Sequence, residues 1–249
     1  GIAAAATSVR TFDEMREYIR EPEARPTQHA IYTVHRDVAR REDHERIRAA
    51  KLRYDITVIP PGYFVGRRRE FFRTAGHYHA SVPHESLAYP EVYEVVSGRA
   101  LWLIQRPSAG GAAALEEICA IEAGPGEKAV MPPGFGHIAI NVEPEPLLLA
   151  NWINDSFAYD YDPYRRLQGG GYWALEAEAG GGVEFERNTH YAAVPELSKL
   201  RPREVPEFGL RRSQPLYTLA HELSRLRFLS DPEAFQELLA LDRLYRRVV

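Results

Sequence analysis

In the run Gly76-His77-Tyr78-His79, two histidines stand two residues apart. Side chains i and i+2 of a strand leave the same face, so His77 and His79 offer two imidazoles side by side. Neutral imidazole is a ligand for several transition ions, and the pair is a candidate for metal chemistry. Two later segments carry groups of the same kind. Glu91 opens the run EVYEVV, where Glu91, Tyr93 and Val95 share one face, and Gly98 ends it. Gly126 then leads into Pro132-Pro133-Gly134-Phe135-Gly136-His137, a turn that delivers His137 onto a strand reaching Asn141. Eleven residues, ASVPHESLAYP, separate His79 from Glu91, and they hold a second carboxylate, Glu85.

The elements that must position these groups are short strands. From Tyr54 to about Tyr159 the apolar runs DITVIP, EVYEVV, ALWLIQ, KAVMP, HIAINV and LLLANWI alternate with Pro-Gly turns, which predicts an antiparallel sandwich or barrel. The first fifty residues read as helical or mixed. Thr11-Phe-Asp-Glu14 forms a capping box, and the charged stretch 36–51 reads as a solvated helix face. After Arg165, two glycine triplets mark a loop or hairpin, and KLRPREVPEFGLRRSQP reads as an extended linker. Leu216, Leu219, Leu223 and Leu226 recur at helical spacing. Ser230-Asp-Pro-Glu233 caps a further helix with Phe235, Leu238, Leu241 and Tyr245 on one face. The expected division is a partly helical extension 1–50, a metal-binding barrel 51–165, and a loop with C-terminal helices 166–249.

The spacings resemble the two signature motifs of the cupin superfamily. The second, G-x5-P-x-G-x2-H-x3-N, is met at every specified position from Gly126 to Asn141. The first, G-x5-H-x-H-x3-4-E-x6-G, is met by His77, His79 and the Glu91-x6-Gly98 interval, but the gap before Glu91 is long and no glycine stands six before His77. Glu85 lacks a correctly spaced glycine, so Glu91 is the preferred carboxylate. A closer resemblance is to the cupin-type, or archaeal-type, glucose-6-phosphate isomerases. It rests on YDITVIPPG from Tyr54, RTAGHYH from Arg73, Pro90-Glu91-Val92-Tyr93 and the Pro132–His137 turn, and covers about residues 50–165.

The resemblance implies a mainly β, jelly-roll-like cupin barrel with helical extensions at both ends. It implies one divalent metal ion on His77, His79, Glu91 and His137. It also implies a sugar phosphate held by Thr74 and Gly76, with Thr57 beside them, and a substrate pocket lined by Tyr93. Tyr159 and Tyr161 fall in a stretch like the family's pocket-closing segment, although the family commonly has histidine where Tyr159 stands. Glu91 matches the residue assigned there as the base. A set of three nitrogens and one carboxylate suits Fe, Mn, Ni or Zn without choosing among them. For the phosphate's charge, Arg73 is the candidate by position, while Arg67-Arg68-Arg69 reads as a solvated loop.

An aldose–ketose isomerisation fits this chemistry. A carboxylate can carry a proton between adjacent carbons while a cation stabilises charge on oxygen. Two other readings stand beside it: a different cupin enzyme (another sugar isomerase or epimerase, or a metal-dependent dioxygenase) and a non-catalytic sugar-binding cupin. The chain has 31 Lys+Arg against 35 Asp+Glu, a net charge of −4, which gives no global attraction to nucleic acid or anionic membrane. There is no P-loop and no strand–G-x-G-x-x-G–helix. The lone Cys119 excludes an internal disulfide, and reads as a small strand residue. No run is long enough to span a membrane, and the start GIAAAATSV lacks a secretory flank, with Gly1 read as a cloning remnant. The expectation is a cytoplasmic homodimer acting on a phosphosugar. His84 sits in the insertion and reads as a loop residue, and His29, His35, His44, His190 and His221 have no partner at recognisable spacing.

Overall fold

A computed structural model describes residues 2–84, 86–156 and 158–248. Strands dominate, as the short apolar runs require. Those of the two sheets and of the pair beside the histidines are β1 (Ala6–Thr11), β2 (Ala30–Arg36), β3 (Leu52–Ile59), β4 (Tyr78–His79), β5 (Glu91–Ser97), β6 (Ala100–Ser108) and β7 (Gly111–Ala123). After these come β8 (Lys128–Met131), β9 (Gly136–Asn141), β10 (Leu147–Asn154), β11 (Tyr159–Asp160), β12 (Ser198–Pro202) and β13 (Tyr245–Arg247). One sheet has the order β8-β5-β10-β3-β2-β1, and a second has the order β9-β6-β7-β12-β13. The sheets are open rather than joined into one closed barrel. Pro132 and Pro133 carry no N–H for a ladder, so the chain leaves the first sheet at Met131 and enters the second at Gly136.

The sheets meet through one apolar core. Along β3 the buried residues switch faces, Leu52 and Tyr54 on one and Asp55, Thr57 and Ile59 on the other, whereas β9 and the first five residues of β5 are buried throughout. Tyr93 of β5 and the fully buried Trp102 of β6 bridge the two sheets, with ring centroids 5.8 Å apart. Gly98 turns β5 into β6 at φ +83°, and a Cβ there would lie 3.0 Å from the Pro146 carbonyl oxygen.

The ends of the chain are less helical than their sequence suggests. Residues 1–50 supply β1 and β2, which extend the first sheet outward from β3, and one helix of two turns, α1 (Arg41–Ala49). The capping box is present, with Thr11 N–H donating to Glu14 at 2.8 Å, but it starts only a four-residue helix. Beyond β11 the glycine triplet 180–182 closes an antiparallel hairpin between Tyr172–Glu176 and Val183–Arg187. The expected linker contains β12, which pairs parallel to β7 with Cys119 opposite Ser198. The leucine stripe forms two 3-10 segments, Leu216–His221 and Leu223–Leu229, interrupted at Glu222, where ψ is +47°. The expected second helix is a 3-10 turn at Glu233–Phe235 and a four-residue α-turn at Leu241–Leu244. Of the stripe, Leu216, Leu219 and Leu226 are buried within the chain itself and Leu223 is half-buried.

Candidate metal centre

His77 and His137 are placed opposite each other by backbone alone. The His137 N–H donates to the His77 carbonyl at 3.1 Å, and the His77 N–H donates back at 3.3 Å. Gly76 makes this approach possible. Its φ is +83°, and a Cβ would come within 2.7 Å of both Ile138 and Tyr164. His79 lies two residues on, in β4, and Glu91 enters at the first position of β5, opposite Met131.

Four ligand-type atoms, one each from His77, His79, Glu91 and His137, lie within 4.8 Å of one another. His77 Nε2 is 3.0 Å from His79 Nε2, and Glu91 Oε2 is 3.3 Å from the Nε2 atoms of both His79 and His137. His79 Nδ1 lies 2.7 Å from the carbonyl oxygen of Tyr89, which can only accept, so Nδ1 carries the proton and Nε2 presents a lone pair. His77 Nε2 faces that lone pair at 3.0 Å, so either a proton on His77 Nε2 or a cation lies between the two nitrogens. Glu91 Oε2 is buried without a hydrogen-bond partner, while Oε1 accepts from Asn151 Nδ2 at 2.6 Å. The donor set therefore fits a divalent ion.

Protonation states agree with ligation. Burial raises the Glu91 carboxyl, but the neighbouring imidazoles of His137 and His79 outweigh it and hold the group well below the usual carboxylate range. Burial drives His77 down, and His137 and His79 add to the effect; burial lowers His137 as well. Burial and then Glu91 push the Tyr93 hydroxyl up, and that hydroxyl lies 3.2 Å from His137 Nε2. A metal requires the carboxylate charged and the rings neutral; burial favours the neutral form of His77 and His137, and a bound cation would take over from the imidazoles in keeping Glu91 ionised.

The long segment between His79 and Glu91 has a structural use. Val82 N–H donates to the Leu87 carbonyl at 2.9 Å and Tyr89 N–H to the Ala80 carbonyl at 3.2 Å, so the chain doubles back and presents the Tyr89 carbonyl to His79. Glu85, the rival carboxylate, lies outside the described residues. Among the described residues the other histidines stay apart from this cluster; His44, for example, pairs with Asp37 at 3.0 Å.

The cluster borders a cavity of about 180 Å³. Thr57, Thr74, Gly76, Tyr93, Tyr159 and Tyr161 line it, as do His77 and Glu91. Arg73 does not. Its guanidinium is buried, with Nε on Glu70 at 2.7 Å, one NH on the Thr74 carbonyl at 3.1 Å and the other on the Tyr18 carbonyl. The expectation that it meets the phosphate is corrected: Glu70, three residues before it, claims the guanidinium inside the core. The triplet is remote too, with Arg68 paired to Glu184 at 2.6 Å and Arg69 to Glu176 at 3.1 Å. We expect Arg73→Met to leave Glu70 charged in a buried site and to cost about 3–5 kcal/mol in urea unfolding, with KM for any phosphorylated ligand unchanged. A large KM rise at unaltered stability would return Arg73 to the cavity.

The cations that do line the cavity are Arg10 of β1 and Arg36 of β2, both from the segment read as an extension. Registry explains their arrival. Val34 pairs with Thr57 and with Ser8, so β2 and β1 carry the inner face of β3 outward. Arg10 lies over the Tyr161 ring at 5.7 Å and Arg36 over the Tyr159 ring at 5.5 Å. No local pattern marks either arginine, because each is placed by pairing to a distant strand. Larger grooves of about 670 and 750 Å³ open elsewhere, and neither includes any of the four clustered residues.

Residues 9–193, which hold the whole cluster, match the family model described as glucose-6-phosphate isomerase (GPI). The chain belongs to this family. The match begins in β1 and runs past β11, so it takes in more than the 50–165 span that the motifs cover, and it includes the strands bearing Arg10 and Arg36. A glucose-6-phosphate isomerase of Thermococcus gammatolerans is 27% identical over 198 residues, 77% of this chain and 90% of that protein. One of Pyrococcus furiosus is 27% identical over 168 residues, 64% of this chain and 76% of its own. Among solved structures, oxalate decarboxylase from Bacillus subtilis is similar with a TM-score of 0.36 and 17% identity, covering 55% of this chain and 30% of that one. Among the described residues no helix is long and apolar enough to cross a membrane.

Proposed function

We propose that this chain interconverts glucose 6-phosphate and fructose 6-phosphate by proton transfer through an enediol or enediolate, using one divalent metal ion of the Fe, Mn, Ni or Zn group. The observation that carries the reading is the convergence of His77, His79, Glu91 and His137, with His77 and Glu91 at the wall of a cavity that also presents arginines and threonines, in a chain of this family. The four residues would hold the ion, which when bound supplies Lewis acidity to substrate oxygens. Glu91 is ionised and sits beside the space a sugar would fill, so it can take the proton from one carbon and return it to the next. Asn151 fixes one carboxylate oxygen and leaves the other to act. Thr57, Thr74 and the Gly76 backbone hold the phosphate, with Arg36 and Arg10 supplying charge, and Tyr93, Tyr159 and Tyr161 enclose the sugar. We place the reaction in the cytoplasm, where a single free cysteine is ordinary, and take the assembly to be a homodimer, to be checked by light scattering.

The decisive experiment supplies purified protein with fructose 6-phosphate and couples glucose 6-phosphate formation to a dehydrogenase. Activity is expected to fall with chelation and to return on adding one of the four metals. An absence of turnover with every metal overturns the reading. Thr57 is buried on the face that borders the cavity, so Thr57→Val keeps its volume and deletes only the hydroxyl. A hydrogen bond to a charged group contributes about 1.5–3 kcal/mol, so KM should rise roughly 10- to 100-fold with the thermal midpoint unchanged. An unaltered KM removes Thr57 from the phosphate site.

A further inference from the structure

Tyr159 is held from behind by an ionic cluster that ligand recognition alone does not require. Arg53 NH2 donates to its phenolic oxygen at 2.7 Å, and Arg36 NH1 donates to the same oxygen at 3.2 Å. Arg53 is itself fixed on every side. Its Nε bridges both oxygens of Asp55 at 2.9 and 3.0 Å, and its NH1 reaches Asp155. Asp55 is 2% exposed; it also accepts the Asp37 N–H at 2.9 Å and faces Arg36 at 3.4 Å. Two guanidiniums and two carboxylates balance in charge, and the planar fork of Arg53 leaves the tyrosine oxygen one position. From the front, Tyr159 pairs with His79 across β11 and β4, meets the His77 ring edge-on with centroids 4.7 Å apart, and lines the cavity.

A phenolic oxygen that accepts two guanidinium N–H groups has spent its acceptor capacity, so toward any bound group it can only donate. We propose that Arg53, Asp55 and Arg36 are positioning residues that hold Tyr159 as an obligate hydrogen-bond donor to the carbonyl oxygen of the sugar during isomerisation. This inference rests on the isomerase reading above. As the proton leaves the carbon next to the carbonyl for Glu91, the C–H electron pair forms the carbon–carbon double bond. The carbonyl π pair then moves onto oxygen. A donor already aimed at that oxygen opposes no rearrangement as charge builds there, and it acts more strongly on the developing anion than on the neutral carbonyl. The phenol keeps its proton throughout; the proton of the neighbouring hydroxyl passes between the two substrate oxygens while Glu91 returns its proton to the adjacent carbon, so no further reactant is needed. A buried Asp–Arg pair is weak as a source of stability, and its purpose here is geometric.

The test is a double-mutant cycle on metal-loaded protein, read as kcat and KM for fructose 6-phosphate. Tyr159→Phe is expected to lower kcat by about 100-fold, as loss of one such donor does, with KM within about threefold. Arg53→Met should lower kcat at least about tenfold, and the double variant should be no slower than Tyr159→Phe alone, since the arginine acts only through the hydroxyl. Arg53→Lys, which keeps a charge beside Asp55 and loses the fork that aims the hydroxyl, completes the same cycle if Arg53→Met fails to fold. Losses that multiply in the double variant, or a Tyr159→Phe protein with full kcat, overturn the proposal. A wild type that turns over no phosphosugar overturns the isomerase reading and this inference with it, whereas an active wild type with multiplying losses overturns this inference alone.

Discussion

Replacing His137 by alanine is expected to abolish metal loading and isomerase activity together. The ring is buried, and its Nε2 is one of two imidazole nitrogens 3.3 Å from Glu91 Oε2. Without it the ion would keep two imidazoles and one carboxylate, and an open position where a fixed nitrogen had been. Removing groups that merely orient a ligand costs about 10- to 100-fold in affinity or activity, so removing a ligand should cost more than about 100-fold in both. The fold should survive, because the contact between the two strands at this point is the backbone pair His137 N–H to His77 O and its reciprocal, which alanine retains. Circular dichroism should therefore be unchanged while elemental analysis after dialysis against Mn or Zn shows an empty protein. A variant with full metal content and full activity refutes the site assignment. One that is empty of metal yet active keeps the cluster and removes the metal from the reaction.

That prediction was within reach of the sequence, and the reason is local geometry. His77 and His79 share a face because strands have a period of two, and His137 follows a Pro-Pro-Gly turn that fixes where a strand begins. Glu91 is named by its distance to Gly98, whose φ of +83° explains why a glycine must stand there. What the sequence hides depends on pairing between distant segments. Arg10 and Arg36 reach the cavity only because β1 and β2 extend the sheet from β3, a neighbourhood set across more than twenty residues. One trace was visible: Asp55 and Thr57 alternate with apolar residues in YDITVI, so two polar groups share one face of a strand. Such a face must border a cavity or a partner charge, and Asp55 has both. Arg73 misled in the opposite direction, since proximity to the histidines in sequence says nothing about which buried acid takes the guanidinium. The C-terminal leucines misled through period. Spacings of three and four suit an α-helix, but a 3-10 segment also returns a residue to one face every three, and the break at Glu222 splits the stripe into two short pieces.

Glu91→Gln carries the second large effect, and it separates two roles that geometry assigns to one side chain. The substitution is nearly isosteric. Asn151 Nδ2, now 2.6 Å from Glu91 Oε1, can keep its bond to the amide oxygen. That choice turns the new NH2 toward the Nε2 atoms of His79 and His137, placing two donors where a carboxylate oxygen stood. Metal affinity should fall, because a ligand has become a competitor for the same lone pairs. If Glu91 also moves the proton, kcat at saturating metal should stay about 10²- to 10⁴-fold below wild type, the range for removing a general base. If Glu91 is a ligand only, excess metal should restore kcat in full, and the proton carrier must be sought elsewhere on the cavity wall. A cation lowers the basicity of a carboxylate bound to it, so the two duties oppose each other. Asn151 holds Oε1, so Oε2 is the carboxylate oxygen left to take the proton, and Asn151 fixes its aim. On this account Asn151→Ala should lower kcat while leaving metal content intact.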